Sequence, residues 1–366
     1  MRTINNPSSI SLRRRLGLEI HRRMQKSLIK EHPLLQLFWE CTLRCNMHCR
    51  HCGSDCKLQE ETPDMPREDF FRVLDSIAAK TNPAEVFVML TGGEPLMRED
   101  LEVCGRGIYD RGFPWGLVTN GLYLDEERFK RLMASGMNSV AMSLDGLEVN
   151  HNWMRGHKDS FQRADKAIDL MVKDPYLVFD IVTSVNNRNF KELPTLRDYL
   201  INKGVALWRL DTVFPVGRAA KDPDMQVSDN QFVELLDFIR ETREGGKIIA
   251  SFGCEGFLGA YEGRVRDHAF FCKAGVTAGS VLCDGTISAC SSIRSNYHQG
   301  NIYRDDFMDV WNNKFEVFRN AEWKRKGDCA ACKVFRYCKG NGMHLRDDEG
   351  NLLLCHMKRL GMKLEK

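Results

Sequence analysis

From residue 34 onward the chain alternates between two apolar rhythms. Short, nearly continuous apolar runs fall at 34–40, 85–91, 115–119, 138–144, 177–185 and 205–213. They lack the strict polar alternation of a half-solvated strand, as expected for strands buried on both faces. Between them lie stretches of helical period at 67–80, 98–111, 125–135, 161–172 and 190–202, with another at 229–244. Asp125 and Ser160 stand where N-caps are expected, and Gly136 closes the third helix. Six such strands alternating with helices predict an α/β fold with a parallel sheet and right-handed crossovers. Eight units would close a barrel; six predict an open, partial (β/α)6 barrel. Chemistry is expected at the C-terminal ends of its strands.

Upstream, Leu12, Leu16, Ile20, Met24 and Leu28 recur every four residues, one slowly drifting helix face. Residues 1–32 hold eight Lys or Arg against two Glu. Two readings stay open: a basic helix packed on the body, or a docking element for an acidic partner or an anionic membrane surface. Beyond residue 254 the rhythm breaks into Cys-, Gly- and Asn-rich text, with short strands expected at 280–282 and 286–289. So little apolar burial calls for metal staples. The expected divisions are a basic N-terminal helical extension over 1–33, the partial barrel over 34–250, and a small cysteine-rich domain over 251–366.

Composition then narrows the field. Of 366 residues 43% are hydrophobic, too many for disorder, and 53 basic against 50 acidic side chains do not make a nucleic-acid coat. No stretch reads as a membrane span or a signal peptide, so a cytoplasmic location is expected. In that compartment 14 cysteines point to metal or redox chemistry rather than disulfides. Five crowd near the start (Cys41, Cys45, Cys49, Cys52, Cys56), eight lie in the last third, and Cys104 stands alone.

The first group contains Cys45-Asn46-Met47-His48-Cys49-Arg50-His51-Cys52, at the end of the first strand. Three thiolates are one short of a closed zinc or iron–sulfur site, and a [4Fe–4S] cluster so held keeps one iron open. A zinc site completed by Cys41, Cys56 or His48 is the alternative. The second strand ends in Thr91-Gly92-Gly93-Glu94-Pro95, the third in Thr119-Asn120-Gly121, the fourth in Ser143-Leu144-Asp145-Gly146. The glycines suit close approach of a ligand, and the carboxylate beside them can accept from an amino group.

Together these motifs resemble the radical S-adenosylmethionine enzymes over most of the chain. The resemblance implies that Cys45, Cys49 and Cys52 ligate a [4Fe–4S] cluster whose fourth iron S-adenosylmethionine chelates. It further implies cofactor contacts from Gly92, Gly93, Glu94, Pro95, Asn120, Ser143 and Asp145, and a carboxylate-pairing role for Arg155. The chemistry implied is reductive cleavage of S-adenosylmethionine to a 5′-deoxyadenosyl radical, which abstracts hydrogen from a substrate. No protein nucleophile or triad is evident.

The C-terminal cysteines resemble the SPASM extension, which carries auxiliary iron–sulfur clusters. By that resemblance Cys329, Cys332, Cys338 and Cys355 form a complete distal ligand set. The proximal set retains Cys272 and Cys290, with Cys254 upstream, but Gly342 stands where a further cysteine is expected. Cys283 is an alternative proximal ligand; His344, water or substrate could take the vacant place. A zinc ribbon is the competing reading of the distal set. Phe214-Pro215-Val216-Gly217-Arg218-Ala219 is similar to a segment common where the family passes to its C-terminal domain, and Arg209 is a candidate to face the substrate.

Most consistent is a maturase acting on a ribosomally made peptide or small protein, served by an external electron donor of flavodoxin or ferredoxin type. Two alternatives are carried: the same chemistry on a tetrapyrrole or other small molecule, and a zinc-binding protein without catalysis.

Overall fold

Each of the six apolar runs becomes a strand in the computed structural model, which describes residues 10–253 and 255–361. These strands are β1 (Gln36–Thr42), β2 (Phe87–Gly92), β3 (Trp115–Thr119), β4 (Met137–Ser143), β5 (Val178–Val185) and β6 (Leu207–Thr212). The principal helices are α1 (Leu12–Glu31), α2 (Arg67–Ala78), α3 (Leu101–Asp110), α4 (Glu126–Ala134), α5 (Glu148–Arg155), α6 (Ser160–Val172), α7 (Leu193–Lys203) and α8 (Asp229–Glu244). A seventh parallel strand, β7 (Ile249–Phe252), pairs with β6 and spans the expected division at 250. Sequence reading missed it because four residues after a Gly-Gly turn carry too little periodicity.

The sheet does not stop at β1. Strand β8 (Ala278–Val281) pairs parallel to β1, and β9 (Thr286–Ser288) and β10 (Gly300–Asn301) follow antiparallel. The order is β10-β9-β8-β1-β2-β3-β4-β5-β6-β7, an open sheet with β10 and β7 at its edges. The C-terminal region thus shares backbone hydrogen bonds with the barrel strands.

Alternation along each strand sorts the side chains. Leu37, Trp39 and Cys41 of β1 are wholly buried under the helices, as are Val88 and Leu90, Trp115 and Leu117, and Trp208 and Leu210. Trp39 stacks on Phe70 of α2 with centroids 4.2 Å apart, and Trp208 Nε1 donates to Thr183 Oγ1 at 2.8 Å. The opposite face (Phe38, Met89, Val118, Ala141, Arg209 and Ser251) lines a cavity. Among the caps, Asp125 accepts from Arg128 N as expected. Ser160 does not cap: Asp159 holds that position, and the Ser160 hydroxyl lies 2.8 Å from His151 Nε2.

Helix α1 forms and packs on the body, but not through its apolar stripe. Leu12, Leu16, Ile20 and Met24 are 60–75% exposed, while the face toward the body is pinned by buried Leu18 and Gln25. Gln25 Nε2 donates to Phe270 O at 3.1 Å and Glu19 accepts from Tyr337 Oη at 2.8 Å. Polar anchors hold the inner side, so the apolar stripe is left outward. No helix among the described residues is long and apolar enough to cross a membrane.

Candidate active site and cysteine centres

The loop leaving β1 carries the cysteine triplet, and the end of β2 clamps that loop. Gly93 N donates to Thr42 O at 2.8 Å and Glu94 N to Arg44 O at 2.9 Å. A Cβ on Gly92 would lie 2.0 Å from Thr42 O, and one on Gly93 2.3 Å from Arg44 O. Gly92 also sits at φ +145°. The glycines therefore permit two backbones to touch, a use the sequence reading assigned to a ligand. Pro95 is buried in the turn that follows.

Glu94 brackets two strand ends. Its carboxylate accepts from Leu96 N at 3.1 Å, Thr119 Oγ1 at 2.7 Å and Asn120 N at 2.7 Å. Burial raises its pKa against those bonds. Asn120 Nδ2 in turn donates to Asn46 Oδ1 at 2.8 Å, tying the end of β3 to the triplet loop.

Asp145 and Arg155 are fully or nearly buried and pair at 2.7 Å, so in this structure the carboxylate partner of Arg155 is Asp145. Burial pushes the Asp145 carboxyl up, but Arg155, His51, His151 and the Ser184 N–H together outweigh it and hold the group below its ordinary range. Asp145 Oδ1 also accepts from Ser184 N at 2.9 Å. The guanidinium Nη1 lies 3.8 Å from Cys49 Sγ, which places a fixed positive charge beside one thiol. Short helix α5, which sequence reading did not find, supplies both Arg155 and His151. His151 Nδ1 accepts from Asp145 N at 2.9 Å, so its proton sits on Nε2 toward Ser160 Oγ. Ser143 lies at the end of β4, paired with Val182.

A further latch was hidden in the 214–219 segment. Arg218 Nε donates to Cys49 O at 2.7 Å, Arg218 Nη1 to Asp55 Oδ1 at 2.8 Å, and Arg218 N to Cys52 O at 3.1 Å. Only the pairing of Gly217 and Arg218 hinted at it in the sequence. Gly217, at φ +57°, would bring a Cβ within 2.5 Å of Cys52 O. Arg209 does face the cavity, paired with Asp180 at 3.0 Å.

Cys45 and Cys49 are buried and Cys52 half-buried. Burial pushes the Cys45 thiol up to about 12 and raises Cys49, so a cation is needed to draw these thiols into ligand form. Cys56 hydrogen-bonds Cys52. Cys41, Cys104 and Cys283 gather instead around Arg98, away from the triplet's thiols. The Cys283 thiol donates to Pro63 O at 3.3 Å.

In the C-terminal region Cys329, Cys332, Cys338 and Cys355 fall within electrostatic reach of one another. Backbone N–H groups aim at their sulfurs: Val334 and Phe335 at Cys332, Gly340 and Asn341 at Cys338, Met357 and Lys358 at Cys355. Arg346, 1% exposed, reaches Cys329 Sγ at 3.7 Å. Cys272 and Cys290 neighbour each other on the cavity wall; Cys254 lies outside the described residues. Among the described residues no three His, Cys, Asp or Glu converge on a single ion. The fit to iron–sulfur clusters rests on grouped soft thiols ringed by N–H donors.

The cavity, about 340 Å³, joins both regions, with barrel strands on one wall and Cys272, Cys290 and His344 on the other.

Residues 39–200 match the family described as the Radical SAM superfamily, and residues 272–333 match SPASM, an iron–sulfur cluster-binding domain. The AdoMet-dependent heme synthase of Methanosarcina barkeri is 26% identical, over 82% of this chain and 89% of that protein. Mycofactocin maturase MftC of Mycolicibacterium smegmatis is 27% identical, over 84% of this chain and 78% of the relative. The crystal structure of Streptococcus suis SuiB bound to precursor peptide SuiA superposes with a TM-score of 0.68 at 17% identity, covering 87% of this chain and 74% of that one. That likeness is one of fold.

Proposed function

This chain belongs to the radical SAM superfamily, carries a SPASM domain and uses [4Fe–4S] clusters and S-adenosylmethionine, and from that premise we propose that it modifies a ribosomally made peptide or small protein. An enzyme of this family is not the zinc-binding protein carried as an alternative.

When bound, the reduced cluster and S-adenosylmethionine supply one-electron cleavage to methionine and a 5′-deoxyadenosyl radical. Cys45, Cys49 and Cys52 hold that cluster, and Gly93, Glu94 and Arg218 fix the loop that presents them. At the strand ends Gly92, Pro95, Asn120, Ser143 and Asp145 are the residues that would shape the S-adenosylmethionine position, Gly92 through the loop it clamps and Asp145 through Arg155. Arg155 places positive charge at the Cys49 sulfur. The cavity between sheet and C-terminal region holds the reacting part of the substrate away from water. Cys329, Cys332, Cys338 and Cys355 hold an auxiliary cluster. The electron comes from an external flavodoxin- or ferredoxin-type donor; the groove of Arg22, Lys26, Lys30, Arg319 and Lys339 beside Cys272 suits an acidic protein.

The peptide reading is carried by α1. A small molecule has no need of a docking element outside the cavity, whereas a protein substrate uses one. Leu12, Leu16, Ile20 and Met24 present such a face, interleaved with Arg13, Arg23 and Lys30. The test is anaerobic: reduce the reconstituted enzyme with dithionite, assay 5′-deoxyadenosine, and follow mass change in the peptide encoded by the nearest small open reading frame. The expected result is 5′-deoxyadenosine that disappears when Cys45, Cys49 and Cys52 become alanine, and a mass change lost in L16S/I20S. If the triple variant still forms 5′-deoxyadenosine, the site assignment is wrong. Binding of the helix to anionic vesicles, with peptide turnover unaffected, assigns it to a membrane surface instead.

A second reading has its own observation. The heme-synthase relative spans most of this chain, and Arg209 and Lys273 on the cavity wall offer cations for porphyrin propionates. Consumption of iron-coproporphyrin III in the same assay, with no change in the peptide, selects it.

A further inference from the structure

The proximal cysteine set lacks a member at Gly342, and the structure shows what stands in its place. A Cβ built on Gly342 would lie 2.6 Å from His344 Cε1 and 3.0 Å from His344 Nδ1, so the imidazole fills the volume a cysteine side chain would enter. The 3₁₀ turn Met343–Leu345 returns the chain upon itself and brings the ring back over residue 342. His344 is 9% exposed, and its Nε2 is buried without a hydrogen-bond partner. An orphaned buried ring nitrogen is destabilising unless something binds it. Phe214 packs at 4.4 Å between ring centroids, which fixes the ring's orientation. The same cavity wall carries Cys272, Cys290 and His344.

We propose that His344 replaces the missing cysteine as an iron ligand of the proximal auxiliary cluster, through its imidazole nitrogen, beside the Cys272 and Cys290 thiolates. Neutral imidazole is a standard iron ligand, and exchanging thiolate for imidazole raises a cluster's potential. The inference rests on the reading of the C-terminal cysteines as SPASM cluster ligands. It makes this cluster a mixed-ligand centre, more easily reduced than an all-thiolate one, facing the substrate cavity.

The test separates the two layers. Reconstituted enzyme with Cys45, Cys49 and Cys52 changed to alanine retains only auxiliary clusters, so iron and sulfide are counted and the reduced protein is examined by pulsed EPR. Expected is auxiliary iron with nitrogen coupling of a directly bound imidazole, lost in H344A. In the double change G342C/H344A the coupling stays absent, the iron content is restored, and the reduction potential falls. Auxiliary iron without nitrogen coupling, unaltered in spectrum and potential by H344A, overturns the ligand assignment alone. A protein holding no auxiliary iron overturns the assignment together with the reading beneath it.

Discussion

The two cysteine centres are built on opposite principles. The triplet loop is held by protein: Gly93 and Glu94 clamp its base, Arg218 latches its far side, and the Asp145–Arg155 pair buttresses Cys49. The distal set Cys329–Cys355 sits among one-turn helices and 3₁₀ turns, with N–H groups, Arg346, Lys324 and the Asn341 amide around the sulfurs. From that construction the first region is expected to keep its shape without iron, and the second to depend on it more. A centre that binds and releases S-adenosylmethionine benefits from a scaffold that does not depend on its own cofactor.

Removing iron breaks or sustains this contrast most sharply. Chelation, or C329S/C338S, is expected to cost the region beyond residue 320 on the order of 10 kcal/mol of local stability, the scale of structural thiolate–metal sites. Hydrogen exchange is the readout: backbone amides there should lose protection while β2–β5 keep theirs. Equal loss in both regions would end the comparison. On the triplet side the largest protein-borne effect belongs to R155A, which leaves Asp145 buried and unpaired. About 3–5 kcal/mol of global stability should be lost in denaturant unfolding, with D145N less harmful. E94Q keeps the shape but replaces one acceptor oxygen by a donor and removes the charge from the three bonds the carboxylate accepts, and about 2 kcal/mol is expected; a neutral result would show that the bracket is dispensable.

The smallest effect is one of pH. Burial and Arg155 push His151 down to about 3, with Asp145 opposing and His51 reinforcing the shift. The folded value therefore lies below the unfolded one near 6.5, and the unfolded chain binds more protons as pH falls. Stability is full above about pH 6.5 and declines from there toward pH 3. Between pH 7.5 and 5.5 this amounts to about 1.4 kcal/mol, read as the difference in slope between the protein and H151Q.

Much of the fold was legible because local pattern and burial agreed: six strands, their helices, and the motifs at the strand ends all lie where periodicity put them. What escaped depends on partners far apart in the chain. Nothing local says that Arg218 reaches Cys49, that Asp145 answers Arg155, or that Glu94 accepts from Asn120. Helix α1 misled for a related reason: its stripe was read correctly as a face, but which way a face turns is decided by Gln25 and Glu19 finding distant acceptors and donors. Helix α5 was too short and polar for its period to show. Gly342 was conspicuous as a gap in a spacing, whereas the ring lying over it required coordinates.

The pairing of β8 with β1 carries a consequence for synthesis. Gln36 meets Ala278 across that ladder, so the outer edge of β1, with Leu37, Phe38 and Trp39 on it, stays uncovered until the ribosome has passed residue 278. Until then the nascent chain displays an open template for strand addition, next to reactive thiols, and its most distant contacts form last. A folding assistant, or prompt delivery of iron, has its work set at that interval rather than at the finished protein.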